Sequence, residues 1–133
     1  MKYLLDTDTL IYWLKGNQNI ERKAIAAGLE NLSYSIISHA ELYFGAYNSE
    51  QQEKNLQAMK IIQKKLLLIN LNDKSAQLFG MIKAQLKQQG NIILDADIMI
   101  GSIAIANELI LVTNNTRHFQ RIPNLQLENW LNN

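Results

Sequence analysis

Residues 1–16 read MKYLLDTDTLIYWLKG, and this stretch sets how the rest of the chain is read. Tyr3, Leu4 and Leu5 form a short apolar run of the kind that makes a buried strand. It leads straight into two acids that flank a threonine, Asp6, Thr7 and Asp8. From Thr7 to Leu14 the pattern is helical, and Gly16 stands just past the end. Like charges this close repel. A helix N-terminus, a metal ion or a phosphoryl group in transfer is needed to favour the pair.

The same alternation continues along the chain. Residues 17–28 predict a second helix. Residues 32–37 (LSYSII) predict a strand feeding a helix that begins near Ser38. Residues 49–64 predict a polar amphipathic helix, with Glu50 and Lys54 four apart and Leu56, Met59 and Ile62 on one side. A strand at 66–71 follows, then a helix at 73–89 with Phe79, Ile82 and Leu86 in register and Gly90 at its end. Residues 95–107 read as an almost wholly apolar, buried helix, 109–112 (LILV) as a strand and 125–127 as a last short strand. The expected fold is α/β, with a central, mostly parallel sheet flanked by helices. Ligands in such folds bind beyond the carboxyl ends of strands. Asp6 lies at one such end, and Thr113, Asn114 and Asn115 lie at another.

Composition bounds the answer without naming a function. A chain of 133 residues, 47% hydrophobic and 19% charged, is expected to form one domain spanning 1–133 with a real core. Its longest apolar stretch, 98–106, is broken by Gly101 and Ser102, so no membrane span is expected. Three apolar residues before Asp6 are too few for a secretory signal. With no cysteine there is neither a disulfide nor a thiolate metal site, and the expected location is the cytoplasm. The formal net charge of +1 neither supports nor excludes a nucleic-acid partner. Lys60, Lys64 and Lys65 cluster locally, as do Arg117 and Arg121.

The acids carry the chemistry, and each has a plain structural alternative. Asp6 or Asp8 can cap the first helix, but one cap needs one acid. Ser38 and Glu41 have capping-box spacing, and taken alone that is the better reading of Glu41. One of Asp95 and Asp97 can cap the apolar helix behind them; two are more than a cap requires. Asp6, Glu41 and Asp97 all stand near helix starts that a parallel sheet brings to one edge. Several carboxylates without an Arg beside them suit a hard divalent cation such as Mg²⁺ or Mn²⁺. Such a site can activate water and clamp a phosphodiester. His39 and His118 are expected to be structural or solvent-facing, with His118 able to approach the same edge.

Two families share the opening motif. LLDTDTL and LILVTNN approach the first two motifs of haloacid-dehalogenase-like phosphatases, in which Asp6 would be the nucleophile. That family needs a later Lys and acidic pair, whereas no Lys follows Thr113 and Glu128 is the sole acid there. MKYLLDTDTLIYWLKG, ISHAELYFGA and LDADIMIGSIAIANELILVTNNTRHFQRIPNLQLENW together resemble PIN-domain proteins, specifically VapC-type toxin ribonucleases, over almost the whole chain. The tail VTNNTRHF followed by Trp130 is its most specific part, and the wording is similar to that of members cutting initiator tRNA.

The resemblance implies a small, usually dimeric α/β domain that hydrolyses single-stranded RNA with Mg²⁺ or Mn²⁺ and is silenced by an antitoxin protein. It assigns catalysis and metal binding to Asp6, Glu41 and Asp97. Asp97 is preferred to Asp95 because it directly precedes Ile98, Met99 and Ile100. Thr113 and Asn115 would line the pocket, with Asp95 and His118 as further supporting candidates, and Lys15, Arg117 and Arg121 as candidates to hold RNA phosphates. One departure stands out. The family commonly has an acid where this chain has His118, which leaves a catalytically inactive RNA- or protein-binding module as the alternative.

Overall fold

The computed structural model describes residues 2–131. Five strands, β1 (Tyr3–Leu5), β2 (Leu32–Ser35), β3 (Leu67–Ile69), β4 (Ile110–Val112) and β5 (Leu127–Glu128), form one sheet in the order β3-β2-β1-β4-β5. Every pairing is parallel, with Leu4 opposite Ser33 on one side and Leu111 on the other. The helices are α1 (Thr7–Leu14), α2 (Gln18–Ala27), α3 (Ile36–Tyr47), α4 (Gln52–Lys65), α5 (Asp73–Gln88), α6 (Asp95–Ala106) and the short α7 (Thr116–Phe119).

The central strand explains the layers. Successive side chains of a strand point to opposite faces, and Leu4 and Leu5 are both fully buried. Leu5 packs with Leu10, Ile20, Leu42, Met59 and Ile62 from α1–α4. Leu4 packs with Ile82, Leu86, Ile98 and Ile103 from α5 and α6. Each leucine contributes about 2 kcal/mol by leaving water. An apolar run with no polar alternation is what a strand covered on both faces requires.

The connections place the site. From β1 the chain steps to β2 and then β3 on one side, and α5 and α6 carry it back to β4 on the other. The strand order therefore reverses between β1 and β4, where open α/β sheets form a ligand crevice. Asp6 follows β1 there, and its backbone N–H donates to the Val112 carbonyl at 2.9 Å.

Helix ends follow local chemistry. Asn17 Oδ1 accepts from the Ile20 N–H at 3.0 Å, and Asn72 Oδ1 from the Ser75 N–H at 2.9 Å. Gly16 and Gly90 take the left-handed conformation (φ +92° and +74°) that stops α1 and α5. Some expected boundaries are corrected. The second strand ends at Ser35, not 37, because Ser35 Oγ accepts from the Ser38 N–H at 3.0 Å and starts α3 at Ile36. Ser38 is thus buried inside the first turn, and the Ser38–Glu41 capping box does not form. The fourth helix begins at Gln52, after Ser49 Oγ accepts from the Gln51 N–H in a turn. The third strand shortens to Leu67–Ile69, and the last lies at Leu127–Glu128. Among the described residues no helix is long and apolar enough to cross a membrane.

Candidate metal centre

The crevice is built around Asp6. Its carboxylate is 6% exposed and caps α1, with Oδ1 accepting from the Thr7 N–H at 2.8 Å. Oδ2 accepts from the hydroxyl of buried Thr113, just past β4, at 2.8 Å. Burial pushes the Asp6 carboxyl up to about 7, helped by the Asp8 charge and, more weakly, by Asp97. The Thr113 and Thr7 hydrogen bonds pull the other way.

Of the two acids that could cap α1, Asp6 does so, and Asp8 is bound to the loop after β4. In the first turn of α1, Asp8 accepts from the Asn114 backbone N–H at 3.1 Å, and the Thr9 hydroxyl oxygen lies 3.2 Å from it. Burial raises its carboxyl too, against the lowering by the Asn114 amide. Thr9 Oγ1 donates to the Val112 carbonyl at 3.0 Å. Asn114 Oδ1 accepts from Asn129 Nδ2 at 3.1 Å, and the Asn115 N–H donates to Thr113 Oγ1 at 2.9 Å. The start of α1 is therefore laced to the loop after β4.

Two further carboxylates approach from α3 and α6. Glu41 is exposed, and its Oε1 accepts from the Thr7 hydroxyl at 2.6 Å. Asp97, in the first turn of α6, is raised by burial and then by the Glu41 charge. His118 opposes this, and Asp8 adds to it. His118 Nδ1 stands 4.0 Å from Asp97 Oδ2 and 3.1 Å from Asn115 Nδ2. Asp6, Asp8, Glu41 and Asp97 thus share one field of like charge.

Asp95 does not join them. Half exposed, it forms an ion pair with Lys83 at 2.9 Å. His39 takes the structural one of its two expected roles: it is buried, with Nδ1 3.2 Å from the Tyr34 hydroxyl. Sequence reasoning missed the Thr7–Glu41 contact and the Asn129–Asn114 link. Neither spacing, 34 residues in the first case and 15 in the second, carries a local signal.

Among the described residues no Lys or Arg forms an ion pair with Asp6, Asp8, Glu41 or Asp97. Nor are any three carboxylate or imidazole side chains drawn together as a closed cation cage. Asp6, Asp8 and Glu41 are each held by hydrogen bonds from Thr7, Thr113 or Asn114. The donor set is all oxygen apart from one imidazole. That set fits Mg²⁺ or Mn²⁺, since Mg²⁺ keeps several waters and binds through one or two carboxylates.

Comparisons with known proteins place the fold and the family. The chain is 37% identical to Ribonuclease VapC2 of Haemophilus influenzae over 98% of this chain and 99% of that one. It is 32% identical to the tRNA(fMet)-specific endonuclease VapC of Salmonella typhimurium over 98% of each. The solved structure of VapBC2 from Rickettsia felis, bound to a DNA fragment from its promoter, superposes with a TM-score of 0.92 at 35% identity, over 98% of this chain and 99% of that one. The PIN domain family matches residues 3–125, and the chain belongs to that family.

Proposed function

We propose that this protein is a divalent-metal-dependent endoribonuclease, the toxin of a type II toxin–antitoxin pair. It hydrolyses phosphodiester bonds in single-stranded regions of RNA, with tRNA as the first substrate to test. The observation that carries this reading is the set of four carboxylates at the β1/β4 switch point, with no basic partner among the described residues. The names of its relatives support the RNA substrate, one of them specifying tRNA(fMet). The family resemblance supports an antitoxin partner, a homodimer and a cytoplasmic location.

In this reading Asp6, Glu41 and Asp97 hold Mg²⁺ or Mn²⁺, which supplies water activation and charge stabilisation at the phosphate. Thr113 holds the Asp6 carboxylate by its hydroxyl. Asp8 fastens the Asn114 loop, and Asn115 steers the His118 ring. Lys15, Arg117 and Arg121, all exposed, attract the RNA backbone, so binding weakens as salt rises. The phosphatase alternative is set aside, because the PIN match spans nearly the whole chain.

The test is incubation of the purified protein, free of antitoxin, with total small RNA in Mg²⁺, in Mn²⁺ and in chelator. Discrete cleavage that requires a metal is expected. No cleavage by folded protein with either ion would favour the inactive binding module, with His118 in place of the usual acid as its cause.

A further inference from the structure

Thr7 is the first residue of α1, and its hydroxyl meets two oxygens from α3: Glu41 Oε1 at 2.6 Å and Ser38 Oγ at 2.9 Å. A threonine hydroxyl has one proton to donate, and an ionised carboxylate can only accept. The Thr7 proton therefore goes to Glu41, and Ser38 donates its own proton to Thr7. Ser38 is fully buried and stands 3.4 Å from Ser35 Oγ, so it is held in place behind Thr7. The result is a directed chain from Ser38 through Thr7 to Glu41. Each link polarises the next.

Glu41 needs such a tether. It is an exposed side chain with three rotatable bonds, and it faces the repulsion of Asp97. Left to itself, that repulsion would turn the carboxylate out to water. The Thr7 hydroxyl instead pins it at the N-terminus of α1. The backbone N–H of the same residue holds Asp6 Oδ1 at 2.8 Å. One residue thus orients two of the acids, one with its main chain and the other with its side chain. We infer that Thr7 is a positioning residue that holds Glu41 for the divalent cation, with Ser38 setting the direction of its hydroxyl.

This rests on the reading of Glu41 as a metal ligand, and the test separates the two. Mn²⁺ binding to chelator-stripped protein is measured by calorimetry for the wild type, Thr7→Val, Thr7→Ser, Glu41→Gln and the Thr7→Val/Glu41→Gln double variant. Circular dichroism confirms the fold of each, and Thr7→Ala replaces the valine variant if that one does not fold. Thr7→Val should weaken Mn²⁺ binding about tenfold, the usual effect of losing a partner behind a metal ligand. Thr7→Ser should restore it, and Thr7→Val should add nothing once Glu41 is glutamine. Wild-type affinity in Thr7→Val with weakened binding in Glu41→Gln would overturn the inference and leave the metal site standing. An equal loss from Thr7→Val in both backgrounds would also overturn it. Unchanged binding in Glu41→Gln would remove Glu41 from the site, and the inference with it.

Discussion

Replacing Asp6 with asparagine should stabilise the metal-free protein at alkaline pH. The Asp6 carboxyl is pushed from the ordinary 3.8 to about 7 by burial and the neighbouring Asp8 charge. Between these two values the folded state keeps a proton that the unfolded chain has released, so stability falls as pH rises. The Asp6 contribution is complete below pH 3.8 and lost by about pH 7. The interval is roughly three pH units, and at about 1.4 kcal/mol per unit it amounts to about 4 kcal/mol. The asparagine side chain keeps the shape of the site. Its carbonyl accepts from the Thr7 N–H, and its amide donates to Thr113 Oγ1. Urea unfolding in chelator, at fixed protein concentration, should give a wild-type stability that drops between pH 4 and pH 8. The Asp6→Asn curve should be flatter by up to about 4 kcal/mol over the same range. Mn²⁺ at pH 8 should restore the wild type more than the variant, because a ligand of the folded state stabilises it by mass action. A wild-type curve parallel to that of the variant, within about 1 kcal/mol, would refute the reasoning.

Asp95→Ala should leave RNA cleavage unchanged and shift stability by less than about 1 kcal/mol in urea unfolding, since its pair with Lys83 is half exposed. Ser35→Ala removes the cap of α3 and should lower stability by about 1 kcal/mol in the same assay. The imidazole of His118, 4.0 Å from Asp97, should favour Mn²⁺ over Mg²⁺ in cleavage rate. His118→Ala should narrow that preference, and equal rates with both ions in both proteins would end the idea.

The sheet was legible because its strands are apolar on both faces: Leu4 with Leu5 and Leu111 with Val112 leave no position for a solvated face. Their parallel arrangement followed from the helices between them. The strand-to-helix switch at Ser35 was less legible. Ile36 and Ile37 are β-branched and favour an extended chain after Tyr34, and the Ser35 cap overrides that propensity. In the crevice, Asp6 and Asp97 stand where the ends of apolar elements put them. Asp95 was indistinguishable from Asp97 by composition; a two-residue difference on α6 turns one to Lys83 and leaves the other facing Glu41 and His118. The ties from Thr7 to Glu41 and from Asp8 to Asn114 were not legible at all. They join residues 34 and 106 apart, and only the fold brings those residues together.

The most direct test of the central claim is single-turnover cleavage of a defined tRNA fragment in Mn²⁺ by the wild type and by Asp97→Asn, with RNA affinity measured in parallel. Metal charge stabilisation is worth several kcal/mol, so the variant should cleave at least about a hundredfold more slowly. Its RNA affinity should match the wild type. Equal cleavage rates in the two proteins would contradict the account, because the acid at the head of α6 would then hold no ion that the reaction needs.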